Sequence, residues 1–244
     1  MTINQISSIT RLAHKYDIED VQRQALAALK TDLTDYDRFC HPKGTPAVLF
    51  EGEGDIQPDV PRFGLGQASQ CAIGIVNLAR LTDTPSLLPA ALYICSNLGD
   101  AVLDGWTRED GTTEYLSEQD LRLCINGRYA LAKKGLSMVS HLFGHLTSDA
   151  CRDPSNCYEK LRRALADVVD DGNPAEARIM LPFDTFLEFT QIEDSLCDPC
   201  EEEMRQRIRD VRRDAWRDLP WIFRLRVEGW NIKVAGNAPA PGQT

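Results

Sequence analysis

Four cysteines, Cys151, Cys157, Cys197 and Cys200, constrain this chain more than any other feature. The second pair opens residues 196–230, LCDPCEEEMRQRIRDVRRDAWRDLPWIFRLRVEGW, where a Cys-x2-Cys precedes a charged helix and a tryptophan-rich close. A two-residue spacing lets both sulfurs reach one ion, and four thiolates are what tetrahedral structural zinc prefers. The first pair is wider, Cys-x5-Cys, and 39 residues separate it from the second. The four can meet only if residues 158–192 fold back on themselves. Two readings stand: a structural zinc site, or four unlinked thiols at loop ends. A redox reading of Cys197-Asp-Pro-Cys200 is weaker, because the βαβ surroundings of such a motif are missing.

Bulk properties narrow the class. A chain of 244 residues is one large domain or two small ones. Hydrophobic residues at 43% and charged residues at 26% allow a real core and argue against global disorder. A net charge of −10 repels phosphate backbones at long range, which counts against nucleic acid as a partner. No apolar run is long enough for a membrane span, and the first residues have no secretory pattern. An intracellular protein is therefore expected, with its eight cysteines as reduced thiols or metal ligands. Cys71, Cys95 and Cys124 sit in apolar helical patterns and are expected simply to pack.

The periodicity predicts an all-α, mainly helical fold: a helical hairpin at 1–33, a linker or insertion at 34–67, a multi-helix body at 68–235 and a disordered tail at 236–244. Ile3, Ile6, Ile9, Leu12 and Ala13 mark the first helix. Asp17 is the expected N-cap of a second, with Val21, Ala25, Leu26 and Leu29 on its face. Prolines and glycines crowd 34–67. The pattern resumes with Cys71, Ile75, Leu78 and Ala79. Thr84-Pro85 starts a helix with Leu88, Ala91, Leu92 and Cys95 as its buried stripe. Residues 97–115 read as a loop around Trp106 and an Asp110-Gly111 turn, with room for a short hairpin within 98–115. Ser117 caps a further helix that passes Leu121, Cys124 and Ile125 and runs on from 129 to 146, with a kink expected near Gly135. A helix is also expected at 158–169, with Leu161, Leu165 and Val168 inward, and the apolar run 183–192 reads as a helix with a strand as the alternative. In the last helix Met204, Ile208, Val211 and Ala215 share a stripe, and Leu219-Pro220 is expected to stop it. Trp216, Trp221, Phe223, Leu225 and Trp230 then form an apolar patch that has to be buried in the fold or in a partner.

No catalytic centre emerges. His141 and His145 are four apart on one helix, but Leu142, Phe143 and Gly144 between them rule out the HExxH arrangement. His145 is a candidate to replace one cysteine in a mixed metal site. The segment FGLGQA at 63–68 lacks a third glycine and a preceding strand, so a helix start is favoured over a phosphate loop. Arg205, Arg207, Arg209, Arg212, Arg213 and Arg217 share their helix with Glu201, Glu202, Glu203, Asp210, Asp214 and Asp218, which predicts a salt-laced solvated face rather than an anion site.

The opening SSITRLAHKYDIEDVQRQALAALK, with Leu12-Ala13-His14-Lys15-Tyr16 before the helix from Val21 to Leu29, resembles the closing helical pair of a BTB/POZ domain. LARLTDTPSLLPAALYICS, then LDGWTREDGTTEYLSEQDLRLCINGR, and the late LCDPC…RRDAWRDLPWIF are similar to the region that follows that domain in fungal-type BTB proteins. The resemblance covers most of 7–230. It implies a non-catalytic, adaptor-like protein that binds protein partners, with self-association left open. Dimerisation and cullin binding in that family depend largely on a sheet this chain lacks, so neither carries over. The rival class is a zinc-stabilised regulatory domain with a transcriptional role. No cofactor besides zinc is expected.

Overall fold

The computed structural model describes residues 2–40, 67–144, 147–170 and 196–230. Among these residues the fold is all-α, as the periodicity predicts. It comprises α1 (Ile3–Lys15), α2 (Glu19–Leu33), α3 (Tyr36–Cys40), α4 (Gln67–Leu81), α5 (Leu88–Ser96), α6 (Glu118–Phe143), α7 (Pro154–Asp170) and α8 (Asp198–Ile222). The strands among the described residues, β1 (Trp106–Thr107) and β2 (Thr113–Glu114), pair antiparallel with Trp106 opposite Glu114. This is the short hairpin expected within 98–115, and a 3-10 turn at Gly99–Leu103 precedes it.

α5 is the axis of the core. All nine of its residues are buried, and it packs against α4, α6 and α8. The expected one-sided stripe was therefore too narrow, since a helix hydrophobic all round belongs at the centre of a bundle. One continuous set of buried side chains runs from Ile3, Ile6 and Leu29 through α4 and α5 to Ile208, Leu219 and Phe223. Cys71, Cys95 and Cys124 lie within it, as expected of small hydrophobes.

α1 and α2 form the expected hairpin, with its joint built differently. Asp17 does not cap α2. It lies in the left-handed region at φ 56°, just after the C-cap Tyr16 of α1, where the Ile18 N–H bonds the Ala13 carbonyl and the Asp17 N–H bonds that of His14. That is a Schellman closure, and aspartate tolerates the conformation better than most residues. Ser7 and Thr10 take inward positions on α1 while Leu12 turns outward, and on α2 Val21 is exposed.

Residues 36–40 correct the expected loop. α3 places Phe39 and Cys40 in the core, and its aromatics meet α5 and α8: Phe39 lies 4.8 Å from Trp216 and 6.0 Å from Tyr93, and Tyr36 is edge-on to Trp216. The expected helix at 183–192, and the expected run of α6 as far as 146, fall outside the described residues. α6 is helical without a break through Gly135 to Phe143.

α8 continues two residues past Pro220. Proline has no N–H to bond the carbonyl four residues back, here that of Trp216. The freed carbonyl accepts the Trp230 indole N–H at 3.0 Å, with the two indoles stacked 4.8 Å apart. The helix then closes in a second Schellman motif with Arg224 at φ 54°. Trp216 and Phe223 are buried and Trp230 partly so, whereas Trp221 is 80% exposed, so the expected apolar patch is only partly internal.

Candidate metal centre

The sulfur atoms of Cys151, Cys157, Cys197 and Cys200 all lie within 4.8 Å of one another. Cys151 Sγ and Cys197 Sγ are 3.7 Å apart. Sulfurs tetrahedrally disposed about zinc at ~2.3 Å stand about 3.8 Å from each other, so the spacing suits a single ion. The four residues reach one point from three places. Cys151 is on the turn after α6, Cys157 is in the first turns of α7, and Cys197 and Cys200 are the N-cap and third residue of α8. The chain returns between 157 and 197, as the zinc reading requires.

Local sequence explains the convergence. Ser148 closes the turn before Cys151 by accepting its N–H at 3.0 Å, and the Asp153 carboxylate accepts from Asn156 N–H at the start of α7, ahead of Pro154 at its first position. Pro199 likewise sits in the first turn of α8, where its missing N–H costs nothing. Two helix N-termini thus face the sulfurs, and their unsatisfied N–H groups favour negative charge there.

Backbone donors complete the arrangement. The Ser148 N–H donates to Cys200 Sγ at 3.4 Å, that of Arg152 to Cys197 Sγ at 3.5 Å, and that of Cys197 to Cys157 Sγ at 3.4 Å. Donors aimed at sulfur stabilise thiolate, the form that binds metal. The Cys197 thiol is drawn down to about 6, first by the Arg152 N–H and then by that of Cys200. Burial pushes Cys200 up to about 12 and raises Cys157 as well. The protein's own groups thus favour the thiolate at Cys197 and disfavour it at Cys157 and Cys200. A divalent cation reverses that logic by making every coordinating sulfur anionic.

The other candidate residues do not join this cluster. His141 is exposed on α6, and His145 lies outside the described residues. Of the glycine-rich segment, only the helix start at Gln67 is described. The arginine helix is largely the salt-laced face expected, with Glu201–Arg205 at 2.6 Å, Glu203 paired with Arg207, and Glu202–Arg209 at 2.9 Å. Arg212 is the correction: it is buried beside Tyr36 and Cys40. Sequence reasoning missed the backbone donors of Ser148 and Arg152, whose only trace is the turn-rich spelling SDACRDPSNC.

Fold and site together define a mostly helical chain with a four-cysteine cluster at the start of two helices. Among known proteins, no family model, no curated protein and no solved structure matches it.

Proposed function

We propose that this chain is a non-catalytic helical binding module whose C-terminal half is fastened by one structural zinc ion. The sulfur cluster carries the reading. Four cysteine ligands saturate a tetrahedral ion and leave no open position for water or substrate, which separates structural from catalytic zinc. No other group of three or more histidine, cysteine or acidic side chains among the described residues is placed to hold a metal. The binding role rests on apolar side chains at the joint of α1 and α2, where Leu12 is 57% and Tyr16 64% exposed beside Ile18 and Val21. The same two helices carry the resemblance to the end of a BTB/POZ domain, which favours a protein partner or a second copy of this chain.

Metal analysis and melting test the reading together. Protein purified under reductant should contain one zinc per chain, and a chelator should lower the melting temperature. Cys200→Ser should lose the metal and melt as the chelated protein does. A metal-free preparation whose melting curve ignores both zinc and chelator would overturn it.

A further inference from the structure

We propose that Cys151 is a site of modification by hydroperoxides, and that its oxidation ends in a Cys151–Cys197 disulfide with release of the metal. This rests on the zinc reading above and adds a chemistry to the same site.

The four sulfurs are not equivalent. Cys157 and Cys200 are sealed at 0% and 3% exposure, while Cys151 and Cys197 are partly open to solvent. An oxidant in water therefore meets only the second two. Three of the sulfurs accept a backbone N–H, but Cys151 accepts none among the described residues. Such donors withdraw electron density from sulfur, so Cys151 keeps the most nucleophilic lone pair. The other open sulfur, Cys197, stands 3.7 Å from it. Cys151 stands on a turn and Cys197 at the N-cap of α8, so both lie outside the helical turns and a disulfide of ~2.05 Å between them would draw chiefly on the turn that carries Cys151. Cys157 and Cys200 are held inside helical turns.

The steps balance with peroxide as the two-electron oxidant. The Cys151 thiolate attacks one peroxide oxygen, the O–O bond breaks, and hydroxide leaves and takes a proton, giving a sulfenic acid. The Cys197 thiolate then attacks that sulfur. An S–S bond forms, the S–O bond breaks, and a second hydroxide leaves as water. Two thiolates, one hydrogen peroxide and two protons yield one disulfide and two waters. Zinc, left with Cys157 and Cys200 alone, passes to a competing chelator.

The test uses the full chain, zinc-loaded under reductant and then desalted. Hydrogen peroxide is added with a chromogenic zinc indicator, and the products are mapped by non-reducing peptide mass spectrometry. Expected are one zinc released and one disulfide formed per chain, joining Cys151 to Cys197, with dithiothreitol and zinc restoring the starting state. Cys151→Ser should slow the release if it still loads zinc. Peptide mapping of the unaltered chain decides the matter if it does not. Zinc retained under peroxide, or released with Cys157–Cys200 or a mixture of pairings, overturns this proposal and leaves the structural zinc intact. A chain that holds no zinc before peroxide is added removes both.

Discussion

Replacing Gly127 with alanine sets two effects of opposite sign against each other, and the structure decides between them. Gly127 is buried within α6, a helix of 26 residues, where alanine is better than glycine by about 1 kcal/mol on backbone entropy. A Cβ there would lie 2.2 Å from Phe223 Cε1 and 2.7 Å from Cδ1. The ring would have to retreat by more than an ångström to reach ordinary contact, and Phe223 is fully buried. Repacking within the core costs about 1–3 kcal/mol, and losing the ring from it about 3–5 kcal/mol. Taking the propensity gain from these leaves a net loss of about 2 kcal/mol, or ~4–8 °C of melting temperature in a chain of this size. Urea denaturation of Gly127→Ala beside the parent protein measures it directly. Phe223→Leu in the Gly127→Ala background should recover part of the loss, so that the double variant is more stable than the sum of the singles. A Gly127→Ala protein more stable than its parent by about 1 kcal/mol, the propensity gain alone, would show that Phe223 does not lie over that glycine.

Two further outcomes are expected. Asp120 is buried and accepts from Arg80 at 2.6 Å and from Ser117 Oγ at 2.8 Å, so Asp120→Ala should cost about 2–3 kcal/mol in urea melts. That is less than the ~3–5 kcal/mol of a fully buried pair, because the Arg80 side chain is 41% exposed and water can take it up; an unchanged midpoint would refute the linkage. Burial also pushes Tyr36 from 10.0 to about 12 and Cys40 from 9.0 to about 11. The unfolded chain gives up these protons at lower pH than the folded one, so stability holds below pH 9.0 and falls as pH rises through the windows 9.0 to 11 and 10.0 to 12. Tyr36→Phe should flatten the upper part of that fall in urea midpoints, and an identical slope in both proteins would refute it.

What the sequence made legible was whatever repeats with a period or caps an end. Met204, Ile208, Val211 and Ala215 are all buried, as a 3.6-residue period requires, and Ser117 caps α6 through the Asp120 N–H. The sulfur cluster was legible as a set of residue types and one spacing, while its closure depended on a fold that no local pattern encodes. α3 was hidden because five residues carry no measurable period, and it is held by Phe39 and Tyr36 against Trp216, a contact 177 or more residues away in sequence. Pro220 reads as a helix stop by local chemistry. The Trp230 indole answers the vacated carbonyl only because the chain turns back, so tertiary structure overrides the local rule. Asp17 misled for a related reason. Aspartate suits an N-cap and a left-handed C-terminal position alike, and only the two N–H bonds back into α1 distinguish them.

The placement of the cluster shows what a metal would add to a helical protein with a good core. The core through α4, α5 and α6 is continuous, and α8 joins it along its full apolar stripe. α7 is different. It packs chiefly against α6, and its buried face is short, consisting of Cys157, Leu161, Ala164 and Val168. A link between residues 151 and 197 closes a loop of 46 residues, and on the chain-entropy estimate used for covalent crosslinks that is worth about 4 kcal/mol. Such a sum is comparable to a large share of a domain's net stability, and it acts where the hydrophobic contacts are fewest. Metal at that point would therefore serve chiefly to hold α7 and the first turn of α8 to the end of α6. By the same reasoning, removing the metal would act on α7 before it acts on the core, whereas a Cys151–Cys197 disulfide would keep the 46-residue loop closed and free only Cys157 and Cys200.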